Sequence, residues 1–239
     1  QKKHQEMSFH VPKEMMSFSK KFGGLFQPFN GDIICSFYNI DWLSKIPYVS
    51  TSKQDIIISS YFKTGTHWMK KILLEIMKAN KHTSKCERYD TINLSNFGVI
   101  HNLDGIYVEN EEVDDALIKW DKYVNETNDG YPRIYHSHLN YDIISEMNIH
   151  SNTKIISLYR NPKAVATSLH NMAFNLPGFQ YTGTMDDSLY LFLCGLAFNG
   201  DYWDHVLNWH LNHKNIDNIL YICYEDLITN FDSNLDRIC

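Results

Sequence analysis

Positive charge is scarce in this sequence. Lys and Arg number 22 against 28 Asp and Glu, a formal net charge of −6, so the chain has no general attraction for nucleic acid or an anionic membrane. An anionic ligand must be held by local cations and backbone amides against that overall field. Long apolar runs are also missing. The longest, Leu189–Phe198, is interrupted by Gly195 and too short to span a bilayer. Cysteine pairing is missing as well: Cys35, Cys86, Cys194, Cys223 and Cys239 are odd in number, scattered and without a CxxC spacing. That argues against a disulfide or zinc framework and for reduced thiols in the cytoplasm. Gln1–Lys21 is charged and has no apolar h-region, so it does not read as a signal peptide. The glycosylation triplets at Asn93 and Asn125 carry no weight without one. No repeat or low-complexity tract occurs. What is present is 44% hydrophobic and 14% aromatic content, enough for one substantial core, and residues 1–239 are expected to form a single domain.

The first 50 residues, with Gly23, Gly24, Pro28, Gly31 and Pro47 among aromatics, read as loops and short helices. Asp55–Tyr61 is short and β-branched, which suits a strand buried on both faces. After a turn at Phe62–Thr66, Trp68–Lys78 sets Met69, Ile72, Leu73, Ile76 and Met77 on one helical stripe, with Lys70, Lys71 and Lys78 outside it. Residues 81–130 are polar and read as connections with some helix. Further strands are expected at Arg133–His138, Lys154–Tyr159 and Ile219–Tyr224, separated by helices at Pro162–Asn171 and Trp203–Asn212. Such alternation predicts an α/β fold with a mainly parallel sheet flanked by helices. Ligands of such folds bind beyond the C-terminal strand ends.

Two segments fall at such ends. Ser59–Trp68 is a strand running through a Gly65 turn into a helix, a P-loop-like arrangement suited to phosphate. Unpaired helix amides face outward and the dipole favours an anion. Thr64, Thr66 and the amides around Gly65 could cradle a phosphate, with Lys63 adding charge. The pattern is not GxxxxGK[ST], because the lysine precedes the glycine, so a nucleoside triphosphate with magnesium is not indicated. The second segment, Arg160–Ser168, follows the strand KIISLY and offers a guanidinium and a hydroxyl for another phosphate.

In this order the two segments resemble the nucleotide-binding signature of the cytosolic-type sulfotransferase family. Lys63-Thr64-Gly65-Thr66-His67-Trp68 matches its KSGTTW-type loop. Arg160–Ser168 matches its R-N-P-K-D-x-x-x-S motif, with Ala164 in place of the acid. Tyr224-Glu225-Asp226-Leu227 resembles its YEDL strand end, and Gly200–Trp203 with Trp209 its following helix. The resemblance runs from about Gly31 to the chain end. It implies the sulfotransferase fold and transfer of a sulfuryl group from 3′-phosphoadenosine 5′-phosphosulfate (PAPS), leaving 3′-phosphoadenosine 5′-phosphate (PAP), with no metal.

By the same resemblance Lys63 stabilises the leaving phosphate and Trp68 stacks on adenine. Thr66-His67 replaces a Thr-Thr pair and retains the amide at His67 without its hydroxyl. Arg160 and Ser168 contact the 3′-phosphate, and Tyr224 the adenine side. Tyr135–Leu139 aligns with the family's K-T-H-L-P segment, which makes His138 the general base and puts His136 where the family has lysine. A histidine suits removal of a hydroxyl proton. His136 and His138 share a strand face at a spacing that would also suit a metal, but no third ligand is apparent.

The acceptor pocket is expected to draw on Tyr38, Phe97, His136, Met172 and Phe174, which lean towards a small lipophilic hydroxyl acceptor. The family's C-terminal basic and dimer segments would lie beyond Cys239, so a C-terminally truncated domain is expected, and a homodimer would lack its usual segment. Two other readings compete: a PAPS- or PAP-binding paralogue without transfer activity, and an unrelated P-loop-like kinase.

Overall fold

A computed structural model of the chain describes residues 26–30, 32–79, 100–104, 113–126, 132–176, 179, 181–212 and 218–239. The chain contacts fall into two compact units, one comprising residues up to Tyr38 with Pro162–Asp204, the other Asn39–Asn161 with His205–Cys239.

The larger unit holds a five-stranded sheet of β3 (Ile56–Ser60), β4 (Ile100–Asn102), β5 (Ile134–Ser137), β6 (Lys154–Tyr159) and β7 (Ile219–Cys223). Its order is β4-β5-β3-β6-β7 and every neighbouring pair is parallel. β3 thus lies between two strands that follow it in sequence, and its C-terminal end is the topological switch point of the sheet. The three strands read as β3, β5 and β7 are each slightly shorter than expected, and Lys154–Tyr159 matches residue for residue.

Both faces of the sheet are covered, which is why its strands are continuous apolar runs rather than alternating ones. On one face Ile58, Ile134, Ile156, Leu158 and Ile222 pack against Met69, Ile72, Leu73, Leu74 and Met77 of α2 (Thr66–Ala79). On the other, the Tyr135 ring meets Trp120 of α3 (Val113–Glu126) at 5.0 Å, and Trp120 meets Trp42 of α1 (Ile40–Leu43) at 6.1 Å. At the opposite end of the sheet from its C-terminal strand ends, Arg133 grips Asp55 through two bonds of 2.8 and 2.7 Å, a buried bidentate pair just before β5 and β3. Short α4 (Tyr141–Ile144) follows β5, and β7 runs straight into α8 (Tyr224–Thr229) and α9 (Phe231–Ile238).

The smaller unit contains β1 (Phe26–Phe29), β2 (Asp32–Cys35), α5 (Pro162–Asn175), α6 (Met185–Leu193) and the start of α7 (Tyr202–Asn212). β1 and β2 form an antiparallel hairpin in which Phe29 faces Asp32. This corrects the expectation of only loops and short helices before residue 50. Asn30-Gly31 is a two-residue turn signal, and Asn30 adopts φ 49°. Pro28 is tolerated because a two-stranded ribbon has only edge strands. Thr184 closes a capping box with Asp187 at the start of α6. Among the described residues no helix is long and apolar enough to cross a membrane.

Candidate active site

The turn between β3 and α2 is built around unusual backbone. Lys63 has φ 67° and Gly65 has φ 111°, so the chain reverses sharply and delivers Thr66 into the first helical turn. A Cβ on Gly65 would lie 2.6 Å from Cδ2 of Tyr224, so glycine is needed both for conformation and for close packing of that ring. Met69 N–H donates to Gly65 C=O at 3.0 Å as the helix begins. The amides before it are the ones a helix cannot satisfy internally. The turn therefore presents donors at the switch point of the sheet.

The hydroxyls do not all face a ligand. Thr64 Oγ1 donates to Tyr61 C=O at 2.7 Å and its side chain is buried, so its contribution to a cradle is its amide. Thr66 Oγ1 and Ser60 Oγ share a bond of 2.7 Å. Ser60 Oγ in turn lies 3.3 Å from His138 Nδ1, while His138 Nδ1 donates to Ser60 C=O at 2.7 Å. Since a carbonyl only accepts, the proton sits on Nδ1, and Nε2 is the proton-accepting nitrogen of the neutral ring. Burial pushes the His138 pKa down to about 3, with the Ser60 carbonyl opposing and Lys70, His67 and Lys63 adding to the fall.

Asp104, just after β4, was missed in the sequence. Its buried carboxylate accepts from Ser137 Oγ–H at 2.6 Å and from the His138 N–H at 3.1 Å. It fixes the backbone from which the histidine projects. The Phe62 ring stacks on His138 at 4.1 Å, and His136 meets it edge-on at 5.9 Å. A second buried histidine, His205, was also missed. Its Nδ1 lies 2.9 Å from Asn140 Oδ1, and burial, with His138 adding, takes its pKa down to about 3.

Lys63 is partly buried. Burial lowers its pKa, and the nearby Arg160 guanidinium adds to this. Arg160 donates to Lys63 C=O at 3.0 Å and lies over the Tyr224 ring at 4.3 Å. Trp68 stands edge-on to Tyr224 at 5.5 Å and nearly parallel to Phe231, 13° apart with centroids at 6.2 Å. Phe231 was not singled out from sequence; it opens α9 after the break at Asn230, and its place is set by how the two helices pack. Trp68, Tyr224 and Phe231 thus form an aromatic cluster against whose edge a flat ring can pack.

The structure thus brings together Lys63, Thr64, Gly65, Thr66, His67, Trp68, His136, His138, Arg160 and Tyr224 in the larger unit. Tyr38, Ser168 and Met172 belong to the smaller unit. Tyr38 is buried there, its hydroxyl accepting from Asn199 Nδ2 at 2.9 Å. Ser168, Met172 and Phe174 lie on α5, the first two partly buried and Phe174 exposed. Phe97 lies outside the described residues. The stripe read for α2 needs correction: Lys70, placed outside it, is buried, while Ile76 is only partly so. The sheet-facing row runs through Thr66, Lys70, Leu73 and Met77, each three or four residues apart. Among the described residues no group of three metal-ligating side chains occurs.

A parallel α/β sheet with a glycine turn of free helix amides at its switch point and a buried histidine beside it defines an anion-binding type of site. The chain belongs to the sulfotransferase family: the family profile for the sulfotransferase domain matches residues 53–239. Amine sulfotransferase from Oryctolagus cuniculus is 26% identical over 196 residues, covering 82% of this chain and 58% of that protein. A mouse sulfotransferase crystallised with PAP superposes with TM-score 0.64 at 24% identity, over 90% of this chain and 67% of the other. Retinol dehydratase in complex with retinol and PAP gives TM-score 0.66 at 19% identity, over 94% and 72%. The chain spans little more than half the length of the curated relatives it matches.

Proposed function

We propose that this chain carries the catalytic half-site of a sulfotransferase that moves a sulfuryl group from PAPS to the hydroxyl of a small, lipophilic acceptor in the cytoplasm. The observation that carries the proposal is the bond between His138 Nδ1–H and the Ser60 carbonyl. It seats a neutral histidine, in its proton-accepting tautomer, at the strand end from which the phosphate turn departs.

PAPS fits the residues. The Trp68 ring suits adenine, and the amides at Thr66 and His67 suit the 5′-phosphate. The Arg160 guanidinium suits the 3′-phosphate. The donor supplies an activated sulfur with a phosphate leaving group. His138 Nε2 takes the acceptor proton as the acceptor oxygen bonds to sulfur. The sulfur–oxygen bond to phosphate breaks, its electron pair stays on the phosphate, and Lys63 with the turn amides stabilises that charge. Asp104 and the Phe62 ring hold His138 in position, which converts chance encounter into an aligned approach. No metal enters this scheme. A retinol-binding neighbour of the same fold is in keeping with a lipophilic acceptor.

The test is calorimetric titration of PAP into the chain, together with transfer of labelled sulfate from PAPS to a panel of phenols and alcohols. His138→Ala should abolish transfer and leave PAP affinity within a few-fold. Undiminished transfer by that variant would remove His138 from the base role, and absence of PAP binding to the parent would defeat the whole assignment.

A further inference from the structure

We propose that Lys70 is an additional cation of the transfer site, placed to bind an anionic oxyacid group beside His138. The inference rests on the sulfuryl-transfer reading and extends it to a residue that no part of that reading uses. Lys70 stands in the middle of the sheet-facing row of α2, one turn after Thr66 and in the same row. The sheet face it meets is the one on which Ile58 packs against α2, and His136 pairs directly with Ile58. The hydroxyl chain from Thr66 through Ser60 to His138 lies on this same side of the helix.

The lysine is 3% exposed, yet it makes no hydrogen bond or ion pair among the described residues. A buried ammonium left in that state is strongly disfavoured unless an anion completes it. The nearest carboxylate to act on it is Asp104. That carboxylate is already committed, accepting from Ser137 Oγ–H and from the His138 N–H at both oxygens. Burial accordingly pushes the Lys70 pKa down to about 8, with Asp104 opposing.

Lys70 is close enough to His138 to act on its charge, whereas Lys63 lies beside Arg160, which donates to its carbonyl. Lys63 and Arg160 form the phosphate side of the site; Lys70 faces the base. The carboxylate acting on Lys70 is Asp104, already shared by Ser137 and His138, so an incoming anion is what completes the ammonium. Two sources have the required chemistry: the sulfonate oxygens of the group in transfer, and an acid group carried by the acceptor itself.

Lys70→Met keeps the length of the side chain and removes its charge, and Lys70→Gln serves if the methionine variant does not fold, as judged by its melting transition. Each is titrated with PAPS and with PAP, which lacks the sulfuryl group, and then, loaded with PAP, with 4-hydroxybenzoate and 4-methylphenol. If the sulfonate is the partner, the preference for PAPS over PAP falls by roughly tenfold or more while PAP affinity holds, the loss expected of one charge-assisted contact. If the acceptor's acid is the partner, that preference holds and the parent's preference for 4-hydroxybenzoate disappears instead. A purely structural lysine would shift all four affinities together or none, and either pattern overturns the proposal. A parent chain that binds PAPS and PAP not at all would instead overturn the sulfuryl-transfer reading on which it stands.

Discussion

Replacing Gly65 by alanine should destabilise the larger unit through two separable penalties. The first is conformational: φ 111° is a region that L-residues rarely adopt, and holding one there costs of order 1–3 kcal/mol. The second is steric. The new Cβ would stand 2.6 Å from Tyr224 Cδ2 and 3.1 Å from Cε2, so the ring has to move. That ring is held by the Arg160 guanidinium at 4.3 Å and by Trp68 at 5.5 Å. Disturbing these contacts gives up about 1–3 kcal/mol. The combined loss is roughly 2–6 kcal/mol, a fall in melting temperature on the order of 10 °C for a chain of this size. A double-mutant cycle with Tyr224→Ala, followed by urea denaturation, separates the two parts. In the Tyr224→Ala background the steric part vanishes, and Gly65→Ala should cost only its conformational share. Equal costs in both backgrounds would show that Tyr224 does not pack on Gly65, and a neutral Gly65→Ala would refute the turn geometry itself.

Removing one partner of the buried pair in Asp55→Ala should lower stability by about 3–5 kcal/mol, because the Arg133 charge is left uncompensated; a shift in the denaturant midpoint at constant slope checks it. Stability should also depend on pH through the buried histidines. His138 and His205 both have folded pKa values pushed down to about 3, against roughly 6.5 when unfolded. In that window the unfolded chain binds more protons, so the contribution is full above about pH 6.5 and is lost as pH falls towards 3, at up to about 1.4 kcal/mol per pH unit for each histidine. His205→Gln should reduce the slope measured between about pH 6.5 and 5 relative to the parent, and an unchanged slope would show that His205 is not held neutral.

Much of the sheet was legible because parallel strands buried on both faces leave short β-branched runs, and Asp55–Tyr61 and Lys154–Tyr159 are of that kind. β4 was not, since its three residues carry no periodicity and gain their place only by pairing with β5. The hairpin before residue 36 was not legible because its strands are only four residues long and the first carries Pro28, a residue that argues against a strand interior. At the site, the turn stood out through local spacing, and His138 through the resemblance of Tyr135–Leu139 to a family segment. Asp104 acts through a backbone amide and a serine hydroxyl, contacts that depend on tertiary approach and leave no pattern in the chain. Lys70 was misplaced for a different reason. A stripe drawn through apolar residues assumes that the buried face is wholly apolar, whereas helix α2 turns an ammonium into the sheet.

The position of β3 at the centre of the sheet bears on how the chain is made. Ile56 pairs with Ile134 on one side and Lys154 on the other, partners that follow it by 78 and 98 residues (134 − 56 and 154 − 56). At roughly 5–20 residues per second of synthesis, β3 waits about 5–20 seconds between emergence of its own residues and those of its last partner. Until β5 emerges an apolar run of three isoleucines has both hydrogen-bonding edges open, and one of them stays open until β6 follows. The phosphate turn that follows it has no stable platform until β5 and β6 dock. The nascent chain is therefore most in need of chaperone cover while the strand that will carry its chemistry has no neighbours, and nucleotide present during translation can help only after residue 159 has emerged.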